Sequence, residues 1–136
     1  MAANYRLNKA LSGLDTGKLG EDVEQWGREN RLSPEAQYTL QLVIEELVTN
    51  IVKYGVHTEF DPFVEIEVHE ENGEITLTVS DNTAAFNPLI TADPDITQTA
   101  EERAIGGLGL FLIRKKVLSM DYEYKNGFNV VRAVFR

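Results

Sequence analysis

Cysteine is absent from the 136 residues, which excludes disulfides and thiolate metal sites and accords with a reducing compartment. Long apolar runs are missing too. None approaches the roughly 20 residues that a membrane-spanning helix requires. The opening MAANYRLNKAL has no basic stretch leading into an apolar core, so no secretory signal is expected and the cytoplasm is the expected location. Positive charge is in short supply: 13 Lys and Arg against 22 Asp and Glu leave a net charge of −9. An acidic surface is repelled by phosphate backbones, which argues against nucleic acid as a partner. Protein partners survive this filter. A small anion also survives if a metal ion and backbone amides neutralise it locally. Histidine is represented only by His57 and His69, to which no role is assigned.

What is present is an ordinary globular composition, 43% apolar, in a length suited to one domain over residues 1–136. Tyr5 to Leu11 alternates loosely and reads as a strand. Leu19, Val23 and Trp26 then fall at helical spacing, ending near Asn30. Ser33-Pro34-Glu35 is a start signal, because serine caps free amides and proline fits the first turn. That helix is expected to reach Tyr54, with Gly55 as a left-handed cap. Two alternating segments follow, Val64/Ile66/Val68 and Ile75/Leu77/Val79, joined by the hairpin signal Asn72-Gly73. A loop of about 87–105 has no periodicity, and loops of that length are usually functional. A helix from the glycines to about Leu118 precedes a second Asn-Gly hairpin at Asn126-Gly127, which joins strands Asp121–Lys125 and Phe128–Arg136. The order predicts an α+β fold: a two-layer sandwich with an antiparallel-rich mixed sheet and helices on one face. Glu65, Glu67, Thr76 and Thr78 would cover the other face.

Three clusters carry chemistry. In the long helix, Leu40, Ile44, Leu47, Val48, Ile51 and Tyr54 form an apolar face, and Glu46, Asn50 and Lys53 run along its edge. A carboxylate and an amide oxygen one turn apart can address one hard cation or its waters, and Lys53 can reach a phosphate. A solvated helix edge with an ordinary Glu-to-Lys contact accounts for the same residues. Asp81 shares the parity of Ile75, Leu77 and Val79, so it points toward the apolar face, where a carboxylate needs a partner. An adenine amine would serve, and so would an outward turn in which Asp81 caps the next bend. Phe86 would then be a wall or lid anchor, or simply core. Gly106, Gly107 and Gly109 permit close backbone approach at a helix start, an anion cradle or merely a tight turn. Neither a Walker loop nor a dinucleotide fingerprint is present.

In this order the clusters resemble the GHKL ATPases, the superfamily that includes the ATP-binding domains of histidine kinases. EELVTNIVKYG is similar to its N-box, VSDNTAAFNP to its aspartate box and GGLGLFLIRK to its glycine box, over residues 33 to 136. The E-L-V-T-N and D-x-x-x-x-F-N-P spellings resemble the anti-sigma factor serine kinases of bacterial partner-switching systems. That resemblance implies ATP and Mg2+ as cofactors. Asn50 would hold the metal, Glu46 would act as general base and Lys53 would contact phosphate. Asp81, with Thr83 and Phe86 nearby, would bind adenine, and the loop of Gly106, Gly107, Leu108 and Gly109 would wrap the phosphates, with Arg103 as a lid contact. Three positions depart from the pattern. Thr83 and Ala85 stand where glycines are usual, so a β-carbon could crowd the ring. Tyr54 stands where histidine is common.

The resemblance implies a protein-serine/threonine kinase that phosphorylates a small anti-anti-sigma-type partner, sequesters a sigma factor when that partner is unavailable, and forms a homodimer. A rival of another class is a binding module of the same fold, nucleotide-binding or degenerate, that transfers no phosphate. Thr83 favours the rival and the Glu46–Asn50 pair opposes it.

Overall fold

The computed structural model describes residues 2–55, 61–89 and 107–136. Strand β1 is Ala3–Ala10, helix α1 Thr16–Glu29 and helix α2 Pro34–Tyr54. Strands β2 (Phe63–Glu71) and β3 (Glu74–Asp81) come next, followed by helix α3 (Gly107–Lys116) and strands β4 (Ser119–Lys125) and β5 (Phe128–Phe135). Among the described residues no helix is long and apolar enough to cross a membrane.

Each element starts for a local reason. The Asp15 side chain accepts from the Lys18 amide at 3.0 Å and caps α1. Ser33 Oγ accepts from the Ala36 amide at 3.1 Å, and Pro34 occupies the first turn of α2. Both Asn-Gly pairs sit at positive φ, 53° and 81° at Asn72-Gly73 and 54° and 83° at Asn126-Gly127. These are the backbone values that a two-residue hairpin of right-handed twist demands.

The five strands form one sheet in the order β1-β2-β3-β5-β4. Every pairing is antiparallel, so the sheet is uniform where a partly mixed one was allowed for. Strand alternation sends Val64, Ile66, Val68, Ile75, Leu77 and Val79 into the core, where they meet Leu40, Val43, Ile44, Leu47, Val48 and Ile51 of α2. Each such side chain contributes about 1.5–3 kcal/mol of burial. The opposite face carries Glu65, Glu67, Thr76 and Thr78 as the alternation requires, with Arg6 of β1 donating to Glu65 at 2.8 Å. The helical layer and the sheet therefore clamp the C-terminal half of α2 against the end of β3. That junction is where the chemistry-bearing residues gather.

Some boundaries and conformations differ from the sequence expectation. Strand β1 runs from Ala3 to Ala10, in register with Glu70 to Phe63 of β2. Helix α3 stops at Lys116, because the Leu118 amide bonds to the Val134 carbonyl at 2.7 Å and joins the sheet instead. Tyr54 is exposed rather than part of the apolar face of α2. Its ring lies 6.3 Å from that of Phe86. Gly55 is not a left-handed cap: its φ is −65° and ψ 123°, which any residue adopts. Glycine is needed there for space. A Cβ would fall 2.5 Å from the Ile51 carbonyl oxygen and 3.0 Å from Thr83 Cγ2.

Candidate functional site

The geometry of α2 sets the first part of the site. Glu46 and Asn50, one turn apart, are half-buried at the edge of the apolar face. Asn50 Nδ2 donates to Glu46 Oε1 at 3.3 Å. That bond engages the amide nitrogen of Asn50, and an amide oxygen is a neutral atom of the kind a hard cation takes. Lys53, a turn further on, is exposed. Among the described residues no three His, Asp or Glu side chains cluster as a metal cage. A magnesium ion held here would therefore take one protein oxygen and otherwise phosphate and water, which suits its reluctance to dehydrate.

Helix α3 delivers the second part. Gly109 packs so tightly on Glu46 that a Cβ there would lie 2.7 Å from Glu46 Cδ. A side chain here would displace the carboxylate, and the two sequence clusters meet across this contact. Gly107 opens α3, where free amides and the positive end of the helix dipole favour an anion. Leu108 follows it in the same turn. Gly106 and Arg103, and most of the loop at 87–105, lie outside the described residues.

Asp81 forms the third part. It is 5% exposed, so it does not turn outward, yet from its inward position it still caps the next bend through the Thr83 amide. Its Oδ1 accepts three hydrogen bonds, from the Thr83 amide at 3.0 Å, the Thr83 hydroxyl at 2.5 Å and Asn129 Nδ2 at 2.9 Å. Thr83 is buried and directed at Asp81 and Gly55. It does not line the apolar slot beside Asp81, whose walls are Leu47 and Ile51 of α2, Val79 of β3 and Val131 of β5, with Phe86 at the rim. Thr83 Cγ2 and Oγ1 lie against Gly55, 3.0 and 3.2 Å from where a Cβ there would fall. Asn50 lines the same slot, so the slot and the Glu46 pair are continuous.

Asn129 escaped the sequence reading. It sits on β5 directly opposite Asp81. Its amide nitrogen also reaches the Thr83 and Ala84 carbonyls at 3.2 and 3.1 Å, and its oxygen accepts from the Phe86 amide at 2.8 Å and Tyr122 hydroxyl at 2.6 Å. Burial pushes the Tyr122 phenol up, with the Phe86 amide opposing and the Asp81 and Tyr124 charges adding. The phenol thus keeps the proton it donates. The only sequence signal was parity: Asn129 shares the inward face of Val131, Ala133 and Phe135.

Burial raises the Glu46 carboxyl above the ordinary glutamate value; the Asn50 hydrogen bond and Lys53 charge pull it back, and Glu45 pushes it up. A raised folded-state value means that the folded protein holds this proton to higher pH than the unfolded chain does. Its stabilising contribution is full below the unfolded value and is lost as pH rises through the folded one. Glu46→Gln is therefore expected to raise the melting temperature of the nucleotide-free protein at neutral pH. The gain should shrink as pH falls below the ordinary carboxylate range. Melting curves of both proteins between about pH 4 and pH 8 check this, and a pH-independent difference would contradict it.

Residues 15–135 match the family of histidine kinase-like ATPase domains. Serine/threonine-protein kinase BtrW of Bordetella bronchiseptica is 25% identical over 107 residues, 79% of this chain and 75% of its own length. Serine-protein kinase RsbW of Listeria innocua is 35% identical over 104 residues, 73% of this chain. Its namesake in Listeria monocytogenes is 32% identical over 103. The match spans 66% of each Listeria protein, just under two thirds. With a continuous slot, an Asn–Glu pair and a helix start on one side of an antiparallel sheet, the chain belongs to the histidine kinase-like ATPase family.

Proposed function

We propose that this protein is a Mg-ATP-dependent protein-serine/threonine kinase of the anti-sigma type. It phosphorylates a small anti-anti-sigma-type protein, holds a sigma factor when that partner is unavailable, and acts as a homodimer. The observation that carries the reading is the contact of Glu46 with Gly109, which brings a half-buried carboxylate of raised proton affinity to the start of α3. A general base works best when its proton affinity is matched to its task, and the shift is in that direction.

Each residue then has a defined part. Asp81 would receive the exocyclic amine of adenine, whose ring would have to part Leu47, Ile51, Val79 and Val131, because the slot between them measures only about 10 Å³. Asn50 would offer its oxygen to magnesium, which would offset the charge of the phosphates. The amides of Gly107 and Leu108 at the start of α3, with Gly106 and Arg103 that precede them in the sequence, would receive the phosphates, and Lys53 would reach them from the helix edge. Glu46 takes the proton from the partner's seryl hydroxyl as its oxygen bonds to the γ-phosphorus. The bond to the β-γ bridging oxygen breaks, and ADP leaves.

The binding-module reading drew on Thr83 in place of a glycine. Thr83 is turned to Asp81 and Gly55, which weakens that ground. Two measurements separate the readings. Mg-ATP at about 100 times its dissociation constant should stabilise the fold by about 2.7 kcal/mol in thermal unfolding. γ-labelled ATP should transfer its label to a serine or threonine of a small partner of the anti-anti-sigma type. Stabilisation without transfer would favour the binding module; neither effect would sink both.

A further inference from the structure

The buried network around Asp81 has a consequence for which base the slot accepts, given the nucleotide-binding reading above. An ionised carboxylate offers two acceptor oxygens and no donor. Guanine presents two donors side by side, N1–H and the 2-amino group, an edge that a carboxylate with both oxygens free binds bidentately. Adenine presents one amine beside an acceptor nitrogen, an edge that needs a single carboxylate oxygen. An Asp in an apolar slot therefore does not by itself choose between the two bases. The number of its free oxygens decides.

In this protein one oxygen is taken. Asp81 Oδ1 accepts from the Thr83 amide, the Thr83 hydroxyl and Asn129 Nδ2 at 3.0, 2.5 and 2.9 Å. Among the described residues Oδ2 accepts no hydrogen bond, although Asp81 is 95% buried (5% exposed) and lines the slot. Asn129 is itself held from its far side, by the Phe86 amide and the Tyr122 hydroxyl, so its donor cannot swing away to serve a ligand. We propose that Thr83 and Asn129 set the base selectivity of the site: they saturate one oxygen of Asp81, and the single acceptor left admits adenine and rejects guanine. The rejection is built from a withheld acceptor, a repulsive element as much as an attractive one. Both are positioning residues, acting on the base through Asp81.

Affinities for ATP and GTP, each with magnesium, are to be measured for the wild type, Thr83→Val, Asn129→Ala and the double variant. Thr83→Val keeps the side-chain shape and removes only the hydroxyl, and Asn129→Leu replaces Asn129→Ala in the double variant if the latter folds poorly. The expected result is a wild type that prefers ATP, with the ATP-to-GTP affinity ratio nearly unchanged in either single variant, where two donors still fill Oδ1. In the double variant the ratio should be about tenfold lower, chiefly by a gain for GTP. If both affinities drop together in the double variant and the ratio holds, the residues are merely structural and the proposal is overturned while ATP binding stands. A wild type that binds both bases equally also overturns it. A wild type that binds neither overturns the nucleotide reading along with it.

Discussion

Glu46→Gln is expected to lower phosphotransfer by about 10²- to 10⁴-fold, the usual contribution of a positioned general base, while ATP affinity changes little. The amide keeps the size of the carboxylate and can still lie against Gly109, so the packing at the start of α3 survives. What is lost is the acceptor for the hydroxyl proton. The measurement is the initial rate of labelled phosphate transfer at saturating Mg-ATP, alongside nucleotide affinity by calorimetry. A fall in affinity that accounts for the whole rate loss would mean that Glu46 binds rather than catalyses. Asn50→Ala provides the contrast, because it removes the ligand oxygen and should weaken binding in a magnesium-dependent way. The Glu46 variant should also be the more heat-stable protein at neutral pH, since it no longer shields a charge from water. Greater stability with lost turnover is the pattern of a residue kept for chemistry.

Gly109→Ala is expected to lower phosphotransfer by about 100-fold, the penalty for displacing a catalytic group by about 1 Å. Elsewhere in a helix the change would stabilise by up to about 1 kcal/mol, because alanine is the better helix former. Here the new Cβ would sit 2.7 Å from Glu46 Cδ, so either the carboxylate or the start of α3 must move. The obstacle is the far end of a flexible side chain, so its displacement should cost less than the about 1–3 kcal/mol of core overpacking, and the loss of turnover should exceed any loss of stability. A double-mutant cycle isolates the cause: in a Glu46→Ala background the obstacle is gone, and Gly109→Ala should become neutral or stabilising. Equal destabilisation in both backgrounds would place the clash elsewhere.

Much of this fold was legible in the sequence because its signals were local. Ser33-Pro34, the two Asn-Gly turns and the strict alternation of β2 and β3 each act within a few residues, and the elements formed as expected. Glu46 and Asn50 were visible because they share a helix edge, and the inward parity of Asp81 was readable from its own strand. What could not be read depended on partners distant in the chain. Asn129 lies 48 residues from Asp81, and one inward polar residue near a hairpin does not announce its partner. Gly55 is a partial case: it ends a helix, where handedness is the usual explanation, but the space is demanded first by the nearby Ile51 carbonyl and then by the distant Thr83. The outward turn of Tyr54 likewise answers to Phe86 rather than to helical periodicity.

The strand order β3-β5-β4 has a temporal side. Strand β5 is synthesised after every other element of the sheet, yet it docks directly against β3 and supplies both Asn129 and a wall of the slot. A nascent chain with α2 and β3 already folded would hold Glu46, Asn50 and Asp81 but no closed place for a base. Competence to bind nucleotide would thus arrive with the β4–β5 hairpin, so that ligand affinity doubles as a report that the sheet has closed around the slot.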